Sequence, residues 1–328
     1  MITRMARLLG ALGLTALLAA CAGTSRASSA EGPASGVVLR VGDQKAGSQT
    51  LLAAAGELGK LPYKVTWAQF TSGPPLLEAL NAGSVDVGGV GNTPPIFAAA
   101  AGSKIRIVAA DRQRGDSSAI LVPSGTAITS PAQLKGKRVA VAKGSSAHYH
   151  LLAVLKKENL SFADITVSYL QPADALAAFT SGRVDAWAIW EPYSSQARLR
   201  NGAKVLVGGN GYVNGYGFQV AGQAALADPA KTAAIRDYLT RLERAKLWAN
   251  THQGEWAKVW SKETGLPLEV AAAATANRVT TPVPIDDALL ASEQQMADAF
   301  TAAGLIPGTI TFAGFADRRF NDLVKKDT

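Results

Sequence analysis

The segment Lys143-Gly144-Ser145-Ser146-Ala147-His148-Tyr149-His150 carries groups suited to holding a small anion. Before it, Arg138-Val139-Ala140-Val141-Ala142 has the alternating apolar character of a buried parallel strand, and residues 151–155 read as a helix. A turn rich in hydroxyls, with one glycine, lies between them. Such a turn aims serine hydroxyls and free backbone N–H groups at one point, with the helix dipole behind them. The same residues also fit an ordinary capped helix, because serine is a preferred N-cap anywhere. A second, matching turn elsewhere in the chain favours the anion site.

That match is part of a longer repeat. Leu39-Arg40-Val41-Gly42-Asp43-Gln44-Lys45-Ala46-Gly47-Ser48 parallels Lys137-Arg138-Val139-Ala140-Val141-Ala142-Lys143-Gly144-Ser145-Ser146. Each has a basic residue, a short strand, a lysine and a Gly/Ser turn into a helix. Lys64-Val65-Thr66-Trp67 then parallels Asp164-Ile165-Thr166-Val167 as a second strand. Helices opened by proline follow, at Ser72-Gly73-Pro74-Pro75 and at Gln171-Pro172. Glycine stops both, and Val85-Asp86 and Val184-Asp185 lead into third strands. Val41 to Asp86 is 45 positions and Val139 to Asp185 is 46. Two βαβαβ units of this kind predict two α/β lobes with parallel sheets and a ligand cleft between them.

Further strands are expected at 105–109, 118–122 and 204–207, with a returning strand at 217–221. From 228 to 250 apolar residues recur at Ile235, Leu239, Leu242, Ala245 and Trp248, a helical period. The carboxyl third therefore reads as mainly helical and packed on lobe one. Lobe 1 is assigned to 37–122 and 216–328, and lobe 2 to 123–215 with the hinge crossings.

The amino end reads as a leader. Arg4 and Arg7 precede an apolar stretch at 8–20, shorter than the roughly 20 residues needed to span a bilayer. Leu18-Ala19-Ala20-Cys21 resembles a bacterial lipobox, in which the cysteine is lipidated. Cys21 is the sole cysteine, so it makes no intramolecular disulfide. Residues 1–20 are thus a lipoprotein signal peptide and 21–36 an anchored flexible linker. Without Arg4 and Arg7 the chain holds 31 basic and 25 acidic residues, a net charge of +6. These charges are dispersed, unlike the clustered footprint of a nucleic-acid binder.

Four motifs in order carry a family resemblance: Gln44-Lys45, Gly91-Asn92-Thr93-Pro94-Pro95, Gly144-Ser145-Ser146-Ala147-His148-Tyr149 and Trp187-Ala188-Ile189-Trp190-Glu191-Pro192-Tyr193. Together, over roughly 39–303, the chain resembles the aliphatic-sulfonate-binding proteins of ABC importers. Taurine, nitrate and thiamine-precursor receptors belong to the same wider group. The resemblance implies a type II periplasmic binding protein fold, with two lobes, each a mostly parallel sheet flanked by helices, and a two-strand hinge. It implies a small sulfonate-type anion held between the lobes and presented to an ABC permease and its ATPase. The implied contacts are Gln44, Gly47, Ser48, Asn92 and Thr93 on one lobe, and Ser145, Ser146, His148, Trp190 and Glu191 on the other. The family often has an aromatic residue where this chain has Asp43, and aspartate where it has Glu191. These carboxylates would repel a simple alkanesulfonate, read the ammonium of an aminosulfonate such as taurine, or face solvent. The expected product is a monomer without cofactor or metal, anchored to the outer face of the bacterial cell membrane or periplasmic.

Particular residues admit other readings. An enzyme on the same scaffold that used a cysteine would lack its nucleophile, since Cys21 lies outside the fold. His148 and His150 do not share a helix face, and read as one pocket or cap histidine and one surface histidine rather than a metal pair. Asp86 and Asp185 read as structural turn residues. Trp248, Trp256 and Trp260 read as packing aromatics. Gly208-Gly209-Asn210-Gly211 lacks the features of a phosphate loop and reads as a plain loop. A sensor whose binding lobe reports to a membrane kinase remains an alternative of another class.

Overall fold

The computed structural model describes residues 36–113 and 115–324. The expected signal peptide at 1–20, Cys21 and all of the expected linker but Gly36 lie outside the described residues. The first repeat comprises β1 (Val38–Gln44), α1 (Ser48–Ala54), β2 (Lys64–Phe70), α2 (Gly73–Asn81), β3 (Val87–Gly91) and α3 (Thr93–Ala100), and leads into β4 (Ile105–Gln113). β1 pairs in parallel with β2 on one side and β3 on the other. A 3-10 turn, Gly115–Ser117, leads to β5 (Ser118–Val122).

The second repeat comprises β6 (Arg138–Val141), α4 (Ser146–Lys157), β7 (Thr166–Tyr169), α5 (Pro172–Thr180), β8 (Ala186–Trp190) and α6 (Tyr193–Asn201), and leads into β9 (Lys204–Gly208). Its first strand is again central, since β6 pairs in parallel with β7 and β8. β10 (Tyr216–Gly222) returns to the first sheet. The remainder is α7 (Gln223–Ala227), α8 (Pro229–Thr251), α9 (Gln253–Thr264), α10 (Leu268–Ala276), β11 (Thr280–Val283) and α11 (Asp287–Ala302).

The sheets have the orders β2-β1-β3-β10-β4-β11 and β7-β6-β8-β5-β9. In each, an antiparallel strand that has just crossed from the other half inserts beside the parallel set: β10 between β3 and β4, β5 between β8 and β9. This corrects one expected boundary, because 118–122 belongs to the second sheet and the crossing falls before Ser118. All five β5 residues are buried, so the strand needs neighbours on both edges. In the first sheet the corresponding slot holds β10.

The equivalent aspartates do equivalent work. Asp86 accepts from Arg40 N at 2.9 Å, Nε at 3.1 Å and a terminal guanidinium nitrogen at 2.6 Å. Asp185 accepts from the same three positions of Arg138 at 2.8, 3.1 and 2.7 Å. Each pair locks the loop before the third strand onto the first strand, as the structural reading expects.

Apolar side chains fill both faces of both sheets. Leu39, Val41 and Val87 pack against Ile235, Leu239 and Leu242 of α8, while Leu76, Ile96 and Phe218 pack with Met296 and Phe300 of α11. The helical period read at 235–245 is thus the buried face of α8. In the second half, Val139 and Val141 meet Leu151 and Leu155 of α4, and Trp187 meets Phe179 of α5. α10 departs from the expected packing, because it lies against α9 and also against α6 of the second half.

A cleft between the sheets as the candidate ligand site

A cleft of about 1280 Å³ lies between the two sheets, lined by the ends of β1, β3 and β8, the starts of α4 and α5, and residues around α9 and α10. Of the ten expected contacts, Gln44, Gly47, Ser48, Asn92, Ser145, Ser146, Trp190 and Glu191 line it. Thr93 and His148 are fully buried behind its wall.

The β1–α1 turn carries its own anion. Asp43, at the end of β1, accepts from the backbone N–H groups of Gln44, Ser48 and Gln49 at 2.9, 2.8 and 2.8 Å. Gly47 N–H donates to Gln44 O at 2.8 Å. The amides expected to meet a ligand here are therefore spent within the turn. Burial raises the Asp43 pKa above the ordinary carboxylate value, and the three N–H donors and Arg278 act the other way. Gly47 permits the arrangement, because a Cβ there would run into the Asp43 carboxylate. Gln44 Nε2 donates to Gly89 O at 3.3 Å, tying the turn to β3.

At the end of β3, Asn92 Nδ2 donates to Asn214 Oδ1 at 2.8 Å, and Thr93 Oγ1 donates to Asn92 Oδ1 at 3.1 Å. Thr93 thus holds Asn92 from behind. Pro94 and Pro95 occupy the first turn of α3, where missing N–H groups cost nothing.

Across the cleft, Ser145 caps α4. Its Oγ accepts from His148 N at 3.3 Å and donates to Ala142 O at 2.7 Å. Ser146 faces the cleft beside Gly91. His148 Nδ1 accepts from Gly144 N at 3.1 Å, and its ring packs among Phe97, Phe162, Tyr169 and Phe300. Burial, with Lys143 adding repulsion, lowers its pKa to about 4, so it supports the turn as a neutral ring. His150 is fully buried too, with Nε2 3.0 Å from Gly208 O, which corrects its reading as a surface histidine.

Glu191 mirrors Asp43. It accepts from Ser195 N at 3.1 Å and Ser195 Oγ at 2.9 Å, so it caps α6. It also accepts from Asn277 Nδ2 at 2.8 Å, a bond between the second half and the end of α10. Neither carboxylate faces bulk solvent, at 4 % exposure for Asp43 and 2 % for Glu191.

Sequence reasoning missed four cleft residues. Trp256 and Trp260, read as packing aromatics, also line the cleft. Trp260 Nε1 donates to Ala46 O at 2.7 Å. Lys246 pairs with Asp111 on the cleft wall. Arg278, on the segment after α10, is exposed to the cleft with its Cζ 5.5 Å from the centre of the Trp260 ring. The tryptophans had a signal in their helical spacing. Arg278 lies far beyond the last motif and had none.

Two α/β halves joined by crossing strands, with a cleft at the strand ends, define the periplasmic binding protein class of fold. The chain belongs to the NMT1/THI5-like family, whose model matches residues 68–253, more than half of its length. It is 38% identical over 273 residues to an Escherichia coli (strain K12) protein named for binding aliphatic sulfonates, covering 82% of this chain and 85% of the relative. A Bacillus subtilis (strain 168) protein named likewise is 33% identical over 266 residues, covering 79% and 80%. Among solved structures, the alkanesulfonate-binding protein SsuA from Xanthomonas axonopodis pv. citri, bound to MOPS, superposes with a TM-score of 0.80 at 38% identity. That match covers 88% of this chain and 99% of the other.

Proposed function

We propose that the chain is an extracytoplasmic, lipid-anchored receptor that captures a small aliphatic sulfonate in the cleft and delivers it, unchanged, to an ABC permease and its ATPase. The observation that carries this reading is the convergence of all four family motifs on one cleft, in a chain similar over most of its length to proteins named for aliphatic sulfonate binding. A sulfonate spreads one charge over three weakly basic oxygens, so several donors suit it better than one ion pair. Gln44, Asn92 and Ser146 supply polar groups, with Gly47, Ser48, Glu191 and Ser145, whose hydroxyl proton goes to Ala142 O, shaping the wall. Thr93 and His148 act from behind it. Trp190 covers the alkyl part.

One feature favours an alkanesulfonate over taurine. Asp43 and Glu191 are held as helix caps, which commits the carboxylates that would otherwise read an ammonium group. The two halves open and close about the crossings before Ser118 and between Gly208 and Tyr216. Turnover by a thiol has no nucleophile among the described residues, because the sole cysteine is Cys21. That cysteine carries the acyl anchor once the signal is removed, and the receptor acts as a monomer.

Titration calorimetry on the soluble chain beginning after Cys21 tests the ligand class, with short and long alkanesulfonates, taurine, an arylsulfonate, nitrate and a thiamine pyrimidine. The expected result is tight binding of an alkanesulfonate, weaker binding of taurine and full recovery of unchanged ligand. Heat from nitrate or the pyrimidine alone would keep the fold and overturn the ligand. Palmitate labelling of the full chain, abolished by Cys21→Ser, tests the anchor.

A further inference from the structure

Arg278 is the cleft's uncommitted cation. Among the described residues its guanidinium makes no hydrogen bond or ion pair, and it lies over the face of Trp260. The other two cations on the cleft wall are engaged: Lys246 pairs with Asp111, and Lys45 Nζ donates to Thr264 O at 2.8 Å. The acids that act electrostatically on Arg278 are Asp111, Glu191 and Asp43. Each already has partners, in Lys246, in Ser195 and Asn277, and in three backbone N–H groups. An anion entering this cleft meets several fixed carboxylates, and one guanidinium with donors to spare.

The arginine is also well placed. Trp260 is 2 % exposed and pinned through Nε1 to Ala46 O, so it offers a fixed surface against which the guanidinium plane can rest. The preceding residue, Asn277, is bonded to Glu191 of the second half, so the segment bearing Arg278 is tethered to both halves. A planar fork held in this way matches two oxygens of a tetrahedral oxyanion.

We propose that Arg278 sets the sign of the ligand, its guanidinium taking the sulfonate oxygens while the neutral donors of the other cleft residues fix their orientation. This assignment rests on the sulfonate reading above. Arg278 thereby joins the residues of the binding site, although no motif contains it.

The test is calorimetry on the soluble wild-type chain, Arg278→Gln and Arg278→Lys. The ligands are 1-butanesulfonate and its uncharged analogue butyl methyl sulfone, with the thermal midpoint as a control on folding. Loss of a charge-assisted hydrogen bond predicts roughly 10- to 100-fold weaker sulfonate binding in Arg278→Gln. Arg278→Lys should retain part of the affinity, and the wild-type preference for sulfonate over sulfone should collapse in Arg278→Gln. Equal sulfonate binding by wild type and Arg278→Gln would overturn the assignment. Equal loss for sulfonate and sulfone would overturn it too, by showing a packing role. A wild-type chain that takes up no sulfonate would overturn the ligand class itself, and the assignment with it.

Discussion

Ser72 Oγ donates a 2.9 Å hydrogen bond to Gln171 Oε1, and Thr71 Oγ1 donates a second, of 3.1 Å, to the same atom. Ser72 and Gln171 are the N-cap residues of α2 and α5, equivalent helices of the two repeats. The bonds therefore join the two halves across the cleft at positions related by the internal repeat. Gln171→Ala removes both without touching either sheet. A net value of about 1 kcal/mol for each of the two bonds predicts sulfonate binding weaker by roughly 30-fold at most, expressed as faster release. Stopped-flow release of bound sulfonate checks this, and an unchanged rate would show that the contact does not hold the halves together.

The duplicated arginine–aspartate locks differ in burial, and so in what their loss should cost. Asp86 has a side chain only 2% exposed and takes a second cation, Lys231, at 2.8 Å, whereas the Asp185 side chain is 30% exposed and, among the described residues, has Arg138 as its one ion-pair partner. Asp86→Ala removes the buried acceptor of the Arg40 donors and of Lys231 and leaves both part-exposed cations unpaired, at a cost of about 1–3 kcal/mol, while an exposed pair is worth about 1 kcal/mol or less. Asp86→Ala should shift the urea midpoint strongly and Asp185→Ala weakly. Equal shifts would mean that burial does not separate the two locks.

The same locks show why much of the fold was readable. Asp86 and Asp185 recur at nearly the same spacing from Val41 and Val139 because one loop geometry needs them, so the repeat is a local signal. The expected place of β5 differs from the observed one because its apolar run fits either sheet, and only the insertion of β10 between β3 and β4 decides the matter. Gly47 and Ser48 read from sequence as a turn into a helix, but the turn's own anion, Asp43, stands just before it and consumes its donors. The reading of one histidine of the pair as a surface residue fails because a period of two on a helix says nothing of a neighbouring strand end, and Gly208 supplies the partner of His150. Arg278 is brought to the cleft purely by tertiary packing, which no local pattern records.

Three buried titratable groups predict a stability profile with opposing limbs. Burial lowers the His148 and His150 pKa values to about 4 from 6.5, so the unfolded chain binds more protons below 6.5, and stability falls as pH drops from there towards 4. Glu293 runs the other way. Burial raises its pKa to about 8 from 4.5, opposed by the Asn214 bond, so the native state keeps a proton the unfolded chain has lost. Its contribution is fully present below 4.5 and is lost as pH rises through 8. Glu293→Gln should therefore gain stability relative to wild type as pH rises across that window. Urea unfolding at several pH values checks this, and a constant difference between the two proteins would show that ionisation of Glu293 is not linked to folding.

Asn92 and Ser146 face one cleft but are held differently. From sequence, alanine at either position is expected to weaken binding and leave the fold intact. The structure separates them. Asn92 bonds Asn214, whose Nδ2 in turn donates to Glu293 Oε1 at 2.7 Å and Ser292 Oγ at 3.0 Å, so the network ties β3 to the crossing before β10 and to α11. Asn92→Ala also deprives the buried Thr93 hydroxyl of its acceptor. It should cost about 1–3 kcal/mol of stability in addition to affinity. Ser146 Oγ makes no hydrogen bond among the described residues and lies against Gly91 of the other half. Ser146→Ala should weaken sulfonate binding by roughly 10-fold and leave the urea midpoint in place. Unfolding and calorimetry on the two variants read both quantities. Equal losses of stability would make Ser146 a structural residue, and unchanged affinity in both would move the ligand away from this wall of the cleft.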